Sequence, residues 1–186
     1  MSTPDELADL LARCALNDHQ ALERLYQLTA AQLYGLVLRI LKDEQLARDV
    51  LQDGFVKIWD RAGDFRPDLA SPLTWMGSIM RNRAIDLLRR RRSSPLVSDL
   101  RPEEMHWLED EAADPPETLA GREQEHRALH ECLRALNETQ RQVIALAYFR
   151  GMTHEELASC LGAPLGTVKS WLRRGLLQLK RCLDGK

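Results

Sequence analysis

What this chain lacks narrows its class before any motif is read. No segment alternates apolar and polar residues over the length of a strand, and glycine supplies only 10 of the 186 residues. A sheet-based catalytic fold is therefore not expected. No apolar run approaches the roughly 20 residues that a membrane-spanning helix needs, so no membrane insertion is expected. The opening MSTPDELADLL has neither a basic n-region nor an apolar h-region, so no secretory signal is expected. The four cysteines, Cys14, Cys132, Cys160 and Cys182, are scattered without a Cys-x-x-Cys pair. Cys160 and Cys182 fall within helical patterns, where a thiol acts as a small apolar side chain. A reduced, cytoplasmic protein is the expectation. His126 and His130 sit four apart near Cys132, but no fourth ligand is evident, so no metal is assigned. No cofactor motif and no credible acid/base cluster is present, and no enzymatic activity is expected.

The formal net charge is only −2, yet the charge is unevenly spread. Arg81, Arg83, Arg89, Arg90, Arg91 and Arg92 crowd one segment with Asp86 as its acid. Lys169, Arg173, Arg174, Lys180, Arg181 and Lys186 gather near the end, with Asp184. Between them, Asp99, Glu103, Glu104, Glu109, Asp110, Glu111, Asp114 and Glu117 oppose Arg101. Local clusters of this kind, and not the net charge, set affinity for phosphates.

The periodic segments are helical. Helices are expected over 5–16, 19–41, 43–61 and 73–91. Leu22, Leu25, Tyr26, Leu33, Leu36, Val37 and Ile40 form the buried stripe of the second, and Leu46, Val50, Leu51, Phe55 and Ile58 that of the third. Trp75, Ile79, Ile85 and Leu88 form that of the fourth. Gly63, Pro67 and Pro72 punctuate a loop. From Arg92 to about Thr118 the composition turns acidic and proline-rich, which reads as a flexible tether. Helices follow near 119–135, 138–150, 154–161 and 165–183. The expectation is an all-α protein of two small helical domains, 1–92 and 119–186, joined by an acidic linker over 93–118.

The segment 151–175, GMTHEELASCLGAPLGTVKSWLRRG, reads as a helix, a tight turn and a basic helix. Thr153 and Glu156 have the spacing of a capping box. Gly162 suits the left-handed residue that ends a helix, and Pro164 the first turn of the next. Val168, Leu172, Leu176 and Leu179 share one face, while Lys169, Ser170, Arg173 and Arg174 fall largely on others. A short helix braced behind a basic one is the geometry that enters a DNA major groove.

Upstream, LTWMGSIMRNRAIDLLRRRR (73–92) sets arginines beside aromatic and amide side chains, the combination that holds opened single strands. Phe65, Trp75 and Asn82 are the candidates for base contact, although Trp75 is also expected to lie in the core. The arginines from Arg89 onward also suit a solvated helix end, where positive charge complements the dipole.

Together these residues resemble the extracytoplasmic-function (ECF) sigma factors of the sigma-70 family. DVLQDGFVKIW (49–59) resembles the segment that docks on the β′ clamp helices of RNA polymerase. Thr74 and Trp75 with RNRAID (81–86) resemble the element that reads the melted −10 region, and PLGTVKS (164–170) the start of the −35 recognition helix. The resemblance implies a non-enzymatic promoter-specificity factor in which Asp49, Gln52, Asp53, Lys57 and Trp59 bind polymerase. It places Phe65, Arg81, Asn82, Arg83, Asp86, Arg89 and Arg90 on −10 DNA, with Asn82 and the 64–71 loop around a flipped base. Thr167, Lys169, Ser170, Arg173 and Arg174 would face the −35 duplex. It implies core RNA polymerase, through the β′ clamp helices and the β flap, and promoter DNA as partners. An anti-sigma factor is the implied regulator, and the acidic linker would thread toward the RNA exit channel.

Two positions depart from the family pattern. Trp171 stands where many relatives carry arginine, either at the DNA backbone or against a neighbouring helix, so −35 specificity does not carry over. Gly54 stands where many carry glutamate, lowering helix propensity by up to about 1 kcal/mol in the docking segment. Two other classes compete. A stand-alone helix-turn-helix regulator would bind a palindrome without polymerase, and a recombinase would need a nucleophile-bearing domain.

Overall fold

The computed structural model describes residues 3–92 and 122–185, with side chains from 3–91 and 127–185. The acidic segment 93–118 and the His126 side chain lie outside those residues. The chain divides into two compact units, Met1–Leu96 and Val97–Lys186. All regular structure among the described residues is helical.

In the first unit, α1 (Pro4–Ala15), α2 (His19–Leu41), α3 (Glu44–Arg61) and α4 (Pro72–Arg92) pack about α2, with a 3₁₀ turn at Ala62–Asp64. Short polar side chains start the first three helices. Thr3 Oγ1 accepts from the Glu6 N–H at 3.1 Å, with Pro4 in the first helical position. Asp18 Oδ1 accepts from the Gln20 and Ala21 N–H groups, and Asp43 Oδ1 from that of Leu46. The other Asp18 oxygen takes Arg13 Nε and Nη2 at 2.9 and 2.7 Å, tying the end of α1 to the start of α2. Asn17 and Lys42 turn the chain at positive φ, where α1 and α2 end.

Leu7, Leu11, Leu25, Leu33, Val37, Ile40, Phe55, Ile58, Met76 and Met80 fill the core. Thr29 is buried among them because its hydroxyl donates to the Leu25 carbonyl at 2.7 Å. Cys14 is also buried, and burial pushes its thiol pKa up, so it stays a protonated apolar filler.

The expected apolar stripe of α4 needs correction. Met76, Ile79, Met80, Ala84 and Ile85 are buried, whereas Trp75 and Leu88 are only partly so. The helix is rotated so that its methionines, not its tryptophan, meet α2 and α3. On α2, Tyr26 is exposed rather than buried. Gly54 is also not a surface position. It is buried, and a Cβ there would collide with the Sδ and Cε of Met80. The glycine allows α3 and α4 to approach.

In the second unit, α6 (Glu138–Phe149), α7 (His154–Leu161) and α8 (Leu165–Asp184) enclose Val143, Met152, Leu157, Val168 and Leu172, while α5 (Arg122–Arg134) packs on α8. Asn137 and Gln140 form a capping box at α6. Gly151 follows α6 at φ +61°, the left-handed conformation expected after a helix end. Gly175 is buried where α8 crosses α6, and a Cβ there would lie 2.8 Å from Ile144 Cδ1.

The cysteine expectation fails in this unit. Cys132 on α5 and Cys182 on α8 are joined in a disulfide, 50 residues apart in sequence, with a Cα–Cα distance of 5.7 Å. Their separation hides a pairing that only the packing of α5 on α8 creates. Cys132 is thereby removed as a metal ligand, and no metal-binding cluster occurs among the described residues. Cys160 is exposed, not an apolar filler. No described helix is long and apolar enough to cross a membrane.

Candidate nucleic-acid interface

The 151–175 segment folds by the local rules its sequence carries. Thr153 Oγ1 accepts from the Glu156 N–H at 3.2 Å while Glu156 Oε2 accepts from the Thr153 N–H at 2.6 Å. Gly162 ends α7 at φ +60°, and the Ala163 N–H donates to the Ala158 carbonyl at 3.1 Å. Pro164 sits one residue earlier than expected, as the N-cap of α8. Its carbonyl accepts from Thr167 and Val168 at 2.9 and 3.1 Å. A proline cap leaves no N–H to satisfy at the tight turn.

Val168, Leu172 and Gly175 bury one side of α8. Trp171 is partly buried and packs against that core, the contact expected of its neighbouring-helix alternative. Leu176 was expected on the buried side but is half exposed. Lys169, Arg173 and Arg174 are exposed, and Thr167 and Ser170 are partly covered. Arg174 folds back on Ser170, whose hydroxyl oxygen accepts from Nη2 at 2.6 Å and Nε at 3.0 Å.

On α4, Asn82, Asp86, Arg89 and Arg90 are exposed at steps that keep them on one side of the helix. Arg81 Nη1 donates to Asn82 Oδ1 at 3.3 Å. The Phe65 and Trp75 rings meet edge to face, 5.7 Å between centroids, at the loop that leads into α4. Arg83 does not join the stripe. It is turned toward α3, where its Nη2 reaches Asp53 Oδ2 at 2.5 Å.

Asp49, Gln52, Asp53 and Lys57 are exposed along α3 and Trp59 is partly buried. Beside them an open groove of about 640 Å³ runs between α2 and α3. His19 stacks on Trp59 at 4.7 Å and 16°, and Tyr26 leans on Phe55 at 4.7 Å. Val56, exposed on the same groove, was not singled out from sequence. Its signal was present, since it breaks the polar face of α3 between Asp53 and Lys57. Arg48, His19 and Tyr26 were missed as groove residues because they become neighbours only when α2 and α3 pair.

The first unit is a helical bundle with an open apolar groove and an arginine-edged helix, and the second carries a helix-turn-helix, the build of a modular all-helical protein. Residues 25–94 match the family model for Sigma-70 region 2, and residues 126–179 that for Sigma-70, region 4. The ECF RNA polymerase sigma factor SigK of Mycobacterium tuberculosis H37Rv is 35% identical over 182 residues, covering 96% of this chain and 94% of that protein. SigK of Mycobacterium ulcerans is 34% identical, covering 97% and 95%. Among solved structures, Rhodobacter sphaeroides SigE in complex with the anti-sigma ChrR is 29% identical, covering 96% of this chain and 99% of that one at a TM-score of 0.46. Bartonella quintana RpoE in complex with the anti-sigma factor NepR is 21% identical, covering 87% and 96% at 0.38.

The chain belongs to the ECF sigma factors of RNA polymerase, proteins of transcription initiation.

Proposed function

We propose that this sigma factor is a non-enzymatic promoter-specificity subunit whose recognition tasks fall on three surfaces. Core RNA polymerase docks on α3 and the adjoining groove through Asp49, Gln52, Asp53, Lys57 and Trp59. The opened −10 strand lies along Asn82, Asp86, Arg89 and Arg90, with Arg81 beside them and Phe65 at the preceding loop. The −35 duplex meets Thr167, Lys169, Ser170, Arg173 and Arg174.

The observation that carries this reading is the division of α8. Val168, Leu172 and Gly175 anchor the helix while its cationic side chains stay exposed. That is the arrangement by which a recognition helix enters a major groove. The arginine-bearing stripe of α4 supports the single-strand role, since cations track phosphates and nearby rings and amides take bases. Promoter DNA and core polymerase, through its β′ clamp helices and β flap, are the proposed partners. An anti-sigma factor covering the two recognition units is the proposed regulator, and the cytoplasm the proposed compartment.

The test is transcription from a promoter library by purified core polymerase with and without the full chain. Initiation at defined sites only with the chain present supports the reading. Tight binding to a palindromic duplex, without core binding or initiation, would instead identify a stand-alone regulator. Asn82→Ala should lower promoter opening and spare core binding. Arg173→Ala should weaken −35-dependent initiation and reduce the salt slope of binding by about one unit.

A further inference from the structure

Arg174 is held unlike its cationic neighbours on α8. Its Nε and Nη2 both donate to the Ser170 hydroxyl oxygen, at 3.0 and 2.6 Å, and Nε lies 3.4 Å from the Ser170 carbonyl oxygen. No comparable contact is made to Lys169 or Arg173 among the described residues.

Helix geometry gives this tether a direction. Residues step by about 100° around a helix, so Ser170 lies about 200° from buried Val168, at the middle of the outward side. Arg174 starts from the flank, about 240° from Val168 on the same count. The hydroxyl draws its guanidinium from the flank to the middle. It also draws it back over the preceding turn, about 5–6 Å nearer the helix start. In helix-turn-helix units it is the N-terminal part of the second helix that reaches base edges.

The donor geometry is equally selective. Ser170 occupies one edge of the guanidinium, Nε–H and one N–H of Nη2. The adjoining terminal edge keeps one N–H from each terminal nitrogen, parallel and unspent. A parallel pair of donors matches the O6 and N7 acceptors of guanine in the major groove.

We propose that Ser170 is a positioning residue that presents the outer edge of Arg174 to one guanine of the −35 duplex, while Lys169 and Arg173 hold phosphates. The proposal rests on the reading of α8 as the duplex-recognition helix. It reassigns Ser170 from DNA contact to the support of another side chain. A tethered arginine has less rotamer freedom to lose on binding than an untethered one.

The test uses holoenzyme assembled from core polymerase and the full chain, with duplex promoter fragments randomised across the upstream element. Base preference at each position and the salt slope are both read. Arg174→Ala should remove a guanine preference of about five-fold or more at one base pair. Ser170→Ala should weaken the preference at that same base pair, leaving other positions and the salt slope unchanged. Ser170→Thr, which keeps the hydroxyl, should restore it, and Ser170→Ala should add nothing in the Arg174→Ala background. A Ser170→Ala effect at a different base pair, or one that persists without Arg174, overturns the proposal in favour of direct contact by Ser170. No base preference by the wild type across the upstream element would sink the reading of α8 itself, and the proposal with it. Unchanged melting of the C-terminal unit in each variant excludes misfolding as the cause.

Discussion

Arg83 on α4 reaches across to Asp53 on α3, Nη2 to Oδ2 at 2.5 Å, joining residues 30 apart in sequence. The family resemblance divides these two between different tasks, Asp53 to polymerase and Arg83 to DNA, yet in the fold they neutralise each other. The side chains are 37% and 62% exposed. Solvent screening therefore holds the pair's worth to at most about 1 kcal/mol. Asp53→Asn should lower the melting temperature of the N-terminal unit slightly. A larger loss in core-polymerase affinity than in stability would assign Asp53 a docking role. A matching loss in both would leave it a structural partner of Arg83.

Gly54 gives a prediction of opposite sign to its helix propensity. Replacing it by alanine favours the helix by about 1 kcal/mol, but the new methyl group collides with Sδ and Cε of Met80, a fully buried side chain that must then repack within the core. Overpacking of this kind costs about 1–3 kcal/mol. Gly54→Ala should therefore destabilise the N-terminal unit in denaturant titration. Gly54→Ala with Met80→Ala should be less harmful than the two single losses summed. An additive outcome would mean that α3 and α4 separate freely at this point.

The Cys132–Cys182 bond encloses a 50-residue separation. Chain-entropy reasoning assigns about 4 kcal/mol to a loop of that length. Reductant, or Cys132→Ser with Cys182→Ser, should lower the melting temperature of the C-terminal unit and leave that of the N-terminal unit in place. Thiol titration of the unfolded, unreduced chain should count two free thiols, Cys14 and Cys160. A count of four would place the isolated protein in the reduced state.

Asp18 makes stability depend on pH. Hydrogen bonding to Arg13, with further bonds from the Ala21 and Gln20 N–H groups, holds its carboxyl below the ordinary value of 3.8. A carboxylate with a depressed folded-state pKa stabilises the fold above its unfolded value and loses that contribution as pH falls through the folded value. The Asp18 contribution should thus be constant from neutral pH down to near pH 4 and fade below it. Asp18→Asn keeps a good helix cap and removes the charge, so the variant should show a shallower acid limb. An unchanged limb would assign the acid sensitivity to other carboxylates.

Much of the architecture was legible because it follows from interactions within a turn or two of helix. The boundary of α2 at His19 follows from Asp18, that of α6 from Asn137 and Gln140, and the turn before α8 from Thr153, Glu156 and Gly162. Each is a local hydrogen bond or a backbone preference, decided by residues at most four apart. Exposure of Lys169, Arg173 and Arg174 follows from the same helical period once Val168 and Leu172 are placed inside.

Tertiary structure alone decided the rest. The rotation of α4 that buries Met76 and Met80 and leaves Trp75 beside Phe65 depends on how its surface fits α2 and α3. Period alone cannot choose among several apolar stripes. The partners Arg83–Asp53, Gly54–Met80 and Cys132–Cys182 are set by helix crossings that bring distant segments together. Sequence by itself determined the helices, their caps and the sign of charge on each surface, because those are local properties of the chain. Packing determined which side chains are spent on one another and which remain for a partner, because that depends on distances no local pattern records.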